Sequence, residues 1–371
     1  MDDVKQKSRK RVRVTVEVPQ ELSKISVKTN ETTDEEREDY KAIPVSSPKP
    51  YARGDSLTID LSEMVNNPLY SDIIITCKDK EEFHACKLLL AARSEYFNRL
   101  LFSSTRHQTK SSHIPNKITI SELTSSAVKV VLEYLYTGKV SDKTLTIDIV
   151  SDAYNGATFF LLPNLKKIIT RFMKSYMKHC HNVSSSNQIA KILSKVSENS
   201  ISTDDNQLID AICKFLMSKS LYKIDYQNLS SKALEFLLSY TLNIKEGNVA
   251  TTEYDIFRYC ILWAVNQISM NDVLYFLLLL PSNEDLEGQK GSGMREWNPI
   301  DPNNSLLQKH KATIISMLKP ILNFIDFHLI HPSILANIIE PLGIVEQQIL
   351  NAIYRDQAVG GFAQMKRGVQ E

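Results

Sequence analysis

The sequence predicts an α+β domain, helices around a small sheet, followed by an all-α region. Two observations carry this. From Ser71 to Val140, short β-branched runs alternate with apolar helical stretches. Beyond Met177 the apolar residues recur at helical spacing only.

Residues 59–65 read as a first helix, with Leu61, Met64 and Val65 on an apolar face. Ile73-Ile74-Ile75 is a strand signal that stops at the turn-like Lys78-Asp79-Lys80-Glu81. Phe83 and His84 then lead into an apolar helix over 87–97. A loop rich in Ser, His and Lys separates it from the strand Lys117-Ile118-Thr119-Ile120. In the next helix Leu123, Ala127, Val131, Tyr134 and Leu135 lie close to one face. Thr124 or Ser125 can cap its start and Gly138 can close its end. Helices over 146–160 and 165–176 complete the domain, with Pro163 near the start of the second.

The all-α region begins with Ile189, Ile192, Leu193 and Val196 after a serine-rich cap at 184–186. Leu208, Ala211, Ile212, Phe215 and Leu216 follow, then a shorter apolar helix over 231–238. Tyr254, Phe257, Ile261, Ala264 and Val265 share a face, capped by Thr251 or Thr252. The apolar run over 273–280 is too short to span a bilayer and reads as a buried helix. Residues 281–304 are a polar loop insert. Helical spacing resumes at Leu306, Leu307, Ile314, Leu318 and Ile321, with a kink expected at Pro320. The expected boundaries are a charged disordered tail at 1–56, the α+β domain at 57–178, and a helical domain at 179–280. The insert is at 281–304, further helices at 305–358 and a tail at 359–371.

Composition narrows the function classes. The chain has 371 residues, 44 Lys and Arg against 43 Asp and Glu, and a net charge of +1. No global field draws it to nucleic acid or membrane. The five cysteines are scattered, without a Cys-x-x-Cys pair, and no signal-peptide pattern is present. This favours a reducing compartment, cytoplasmic or also nuclear. Residues 5–13 hold six basic residues and residues 31–39 six acids. Such opposed blocks bury too little to fold alone. The basic cluster reads either as a solvated tail or as a nuclear import signal. Val12, Val14, Val16 and Val18 alternate with strand period. His179-Cys180-His181 lacks the spaced pairs of a structural zinc site. No phosphate loop, nucleophile elbow or His-Glu-x-x-His occurs. No catalytic, cofactor or metal residues are assigned, and an enzyme is not expected.

Several stretches taken together resemble the BTB/POZ family. They are Ser71-Asp72-Ile73, Phe83-His84-Ala85-Cys86-Lys87, Leu90-Ala91-Ala92-Arg93-Ser94-Glu95-Tyr96-Phe97, and Leu132-Glu133-Tyr134-Leu135-Tyr136-Thr137-Gly138. Farther on, Ala233-Leu234-Glu235-Phe236-Leu237-Leu238-Ser239 and Trp263-Ala264 resemble the BACK domain that follows BTB in substrate adaptors of cullin-3 ubiquitin ligases. The resemblance implies a homodimer, with Ile59, Leu61, Met64, Val65, Leu88 and Ala92 at the interface. It implies that Asp72 and Lys87 form a charged groove pair, read either as an ion pair ordering the dimer core or as part of a peptide-binding groove. It implies a cullin-3 contact through Tyr96, Leu100, Phe102, Thr105, His107, Ile189 and Ile192, and an unknown protein substrate. One departure weakens the cullin-3 expectation. Thr105 and His107 stand where cullin-binding relatives carry a hydrophobic residue and a glutamate. The alternative is a dimeric scaffold or nuclear regulator that does not bind cullin-3.

Overall fold

A computed structural model describes residues 52–102, 115–198, 206–242, 250–288 and 300–360. The valine run, the opposed charge blocks, Thr105 and His107 lie outside the described residues. The α+β part contains α1 (Leu57–Ser62), β1 (Ile73–Cys77), β2 (Glu82–Ala85), α2 (Lys87–Arg93), α3 (Glu95–Phe102), β3 (Lys117–Ile120), α4 (Ser125–Thr137), α5 (Val150–Phe159) and α6 (Pro163–Met177). The sheet order is β2-β1-β3, with β1 antiparallel to β2 and parallel to β3. The β-branched run makes the central strand. Ile73 and Ile75 face inward on one side of the pleat and are buried.

Local chemistry explains the element ends. Gly138 closes α4 in the left-handed region at φ 72°, donating its N–H to Tyr134 O at 2.8 Å. The start of α4 differs from expectation. The Ser125 N–H and hydroxyl both donate to Asp79, from the β1–β2 turn, at 3.1 and 2.6 Å. Those hydrogen bonds hold the Asp79 carboxyl below its ordinary value. The first helix is also shorter than 59–65, so Met64 and Val65 fall in the turn beyond it.

The region beyond is helical: α7 (Val183–Glu198), α8 (Gln207–Met217), α9 (Ser231–Leu242), α10 (Glu253–Ile268), α11 (Val273–Leu279), α12 (Asn283–Gly288) and α13 (Ser305–Leu322). Then come α14 (Pro332–Ile334), a π-helical stretch at Leu335–Ile339, α15 (Glu340–Leu342) and α16 (Gln347–Gly360). Asn182, rather than the serines, caps α7, accepting from Ser185 N at 2.7 Å. Thr252 caps α10, and Thr251 instead accepts from Leu221 N at 3.0 Å. α13 contains Pro320, two residues before its end. Two further expectations are corrected. The insert is not all loop, since α12 lies within it. The run at 273–280 is only partly buried: Phe276 and Leu280 are buried, while Leu274 and Leu278 are 67% and 75% exposed. Among the described residues no helix is long and apolar enough to cross a membrane.

Candidate protein-interaction site

The predicted interface residues divide into two groups. α1 buries none of its residues. Leu57 on α1 and Leu88 on α2 are 74% and 73% exposed, and Ile59 and Ala92 are also exposed. Leu61, Met64 and Val65 instead pack partly against the protein's own core. Behind α1 a cleft of about 250 Å³ is lined by Leu61, Leu89, Arg93, Leu135 and Tyr136 among others. An apolar side chain that stays in water forgoes roughly 1.5–3 kcal/mol of burial. Two such leucines beside Ile59 and Ala92 therefore form a surface suited to covering.

Asp72 and Lys87 do not form the expected ion pair. The Lys87 ammonium donates to Asn116 Oδ1 at 2.8 Å. The Asp72 carboxylate accepts the Lys87 backbone N–H at 2.7 Å. The neighbouring Cys86 N–H donates to Tyr136 Oη at 2.8 Å. Asp72 and Tyr136 thus satisfy two backbone donors at the start of α2, where no intrahelical acceptor exists. Burial pushes the Tyr136 hydroxyl up to about 12, so it stays protonated. These residues fix where α2, and with it Leu88, projects.

A second face centres on Tyr96. Its ring meets Phe97, Phe159 and Phe160 at centroid distances of 5.6, 5.0 and 5.3 Å, and Phe97 stacks on Phe160 at 4.8 Å. Ser94 Oγ donates to Phe160 O at 3.0 Å and ties the start of α3 to the end of α5. Leu100 is exposed and Phe102 partly buried. Leu161, next to Phe160, was missed by sequence reasoning. It sits at φ 57°, a region that normally wants glycine. The bond from Leu162 N to Ala157 O, 2.8 Å, closes α5 around it. The side chain is 57% exposed. A leucine in this backbone region costs about 1–3 kcal/mol, and here its side chain gains little burial in return.

Ile189 and Ile192 are not on this surface. Both lie on the buried face of α7, 0% and 5% exposed, and cannot meet a partner. Their helical spacing reports core packing, not recognition. Two buried thiols offer little chemistry: burial raises Cys77 to about 11 and also raises Cys213. Among the described residues no group of three His, Cys, Asp or Glu side chains could hold a metal ion.

Comparison with known proteins agrees with this geometry. The sequence model of the BTB/POZ domain matches residues 61–176. These residues form a BTB/POZ domain. BTB/POZ domain-containing protein 9 of Drosophila melanogaster is 29% identical over 124 residues, 33% of this chain and 16% of that one. BTB/POZ domain-containing protein 19 of Bos taurus is 31% identical over 114 residues, 30% of this chain and 36% of that one. Kelch repeat and BTB domain-containing protein 2 of Ectromelia virus (strain Moscow) is 29% identical over 120 residues, 32% of this chain and 20% of that one. The chain spans well under half the length of these relatives. The BTB/POZ domain is a protein-interaction fold; the Tyr96 face and the α2 part of the first face lie within the matched residues, and Leu57 and Ile59 directly precede them.

Proposed function

We propose that this protein is a dimeric, non-enzymatic substrate adaptor of a cullin-3 ubiquitin ligase, acting in the cytoplasm or nucleus. The observation that carries the reading is Leu161, an exposed apolar residue at positive φ that directly follows Phe160 of the Tyr96 aromatic cluster. Strain retained at a surface leucine fits a site kept for a partner. The α1–α2 face supplies the homodimer contact, and the helical region presents the protein substrate. A BTB domain joined to kelch repeats, as one relative's name records, is a comparable pairing of an assembly domain with a second module. With Ile189 and Ile192 buried, the cullin-3 surface reduces to Tyr96, Leu100, Phe102, Leu161 and the segment holding Thr105 and His107.

The second reading, a scaffold that does not bind cullin-3, draws on Thr105 and His107 in place of a hydrophobic residue and a glutamate. Calorimetry with the N-terminal part of cullin-3 decides between them. Thr105→Met with His107→Glu is expected to tighten binding roughly tenfold, about 1.4 kcal/mol. Leu161→Gly is expected to weaken binding while leaving the melting temperature unchanged or raised, because glycine relieves the positive φ. Failure of both the native chain and the double variant to bind overturns the adaptor reading in favour of the scaffold.

A further inference from the structure

Helix α6 carries a line of cations without matching acids. Residues 163–178 contain Lys166, Lys167, Arg171, Lys174 and Lys178 and no Asp or Glu, in a chain whose charges otherwise nearly cancel. Lys167, Arg171, Lys174 and Lys178 are all exposed. At about 100° per residue they fall within an arc of about 60°, along a line of roughly 16 Å. Lys166 lies apart, with its ammonium over the Tyr154 ring at 5.2 Å.

The arrangement is not explained by the helix alone. Cations in the last turn suit the helix dipole, which accounts for Lys174 and Lys178. It does not account for Lys167 and Arg171, nearer the start. Like charges three and four residues apart repel by a few tenths of a kcal/mol per pair. Among the described residues, none of the four makes an ion pair with a carboxylate. The acid of α5, which packs on α6, is Asp152, and it accepts from Thr124 and Ser126. α3 shows the contrast: there Arg99 is met by Glu95 at 2.8 Å.

We infer that the exposed face of α6 is a docking surface for an acidic segment of a partner protein, its carboxylates lying along Lys167, Arg171, Lys174 and Lys178. Charge complementarity selects the chemistry. The placement of the aromatic residues disfavours single-stranded nucleic acid. Single-stranded nucleic acid is held by aromatic stacking as well as charge, but the aromatic residues of α6, Phe172 and Tyr176, pack against the core. The inference does not rest on the proposed adaptor function.

The test uses the full chain and a fluorescein-labelled Glu/Ser-rich peptide, with a Gln/Ser peptide and oligo-dT as comparison probes. Anisotropy should show binding of the acidic peptide that weakens as salt rises. Lys167→Glu with Arg171→Glu should lower affinity at least roughly tenfold. The milder Lys174→Gln with Lys178→Gln should lower it in the same direction, with circular dichroism showing both variants folded. Lys129→Glu with Lys143→Glu, the same charge change at exposed sites elsewhere, should have little effect. No binding by the native chain, equal losses in stripe and control variants, or tighter binding of oligo-dT than of the acidic peptide would overturn the inference.

Discussion

α1 and α10 are both rich in apolar residues and do opposite things with them. α10 buries every residue from Glu253 to Val265. α1 buries none and leaves Leu57 in water. The difference lies in what surrounds each helix. α10 is enclosed within the helical region, and two of its largest polar side chains are paired inside. Trp263 Nε1 donates to Leu229 O at 2.8 Å, and Arg258 Nε donates to Leu280 O at 2.6 Å. Among the described residues, α1 has protein on one side only. Apolar content therefore marks a core in one place and an exposed surface in the other.

The largest effect belongs to α10. Trp263→Ala removes a side chain that is 2% exposed and leaves the Leu229 carbonyl without its donor. A loss of roughly 3–5 kcal/mol is expected, read as a lower urea midpoint. A loss below about 1 kcal/mol would mean that α10 is not the core element described. Ile192→Ala on α7 should cost about 2–5 kcal/mol for the same reason. If it instead left stability intact and weakened a partner, the reassignment of Ile192 from contact to core would be wrong.

Much of this was legible in the sequence. The β-branched run, the turn after Cys77 and the glycine after Thr137 are local signals, and local chemistry fixed those elements. The facing of amphipathic helices was harder to read. Ile189 and Ile192 repeat with the same spacing whether they meet a core or a partner, and only the packing of α7 against its neighbours decides. Leu161 gave no signal, because a non-glycine residue at positive φ is set by the tertiary structure around it. Asp79 was read as part of a turn. Its second role, capping α4 46 residues away, depends on chain folding. The Asp72–Lys87 pairing failed because Asn116 and the backbone of α2 compete for those two charges.

A smaller effect separates a helix capped from within from one capped by a distant residue. α10 is capped by its own Thr252, whereas α4 depends on Asp79. The Asp79 carboxyl is held below 3.8 chiefly by the Ser125 hydroxyl. A group depressed in the folded state contributes stability above its unfolded value and loses that contribution as pH falls through the folded one. The melting temperature of the native chain should thus fall more steeply than that of Asp79→Asn as pH drops below about 4. Parallel curves would show that the cap does not titrate with stability.

The smallest expected change in stability comes with the most direct test of the central claim, that α1 and α2 present an interface. Sedimentation equilibrium of the native chain at micromolar concentration should report a dimer, as expected for a surface of obligate size, about 2,000 Å² or more. Leu57→Asp with Leu88→Asp should report a monomer whose circular dichroism spectrum is unchanged, since neither side chain is buried within the subunit. A native chain that sediments as a monomer, or a double variant that remains a dimer, would contradict the account.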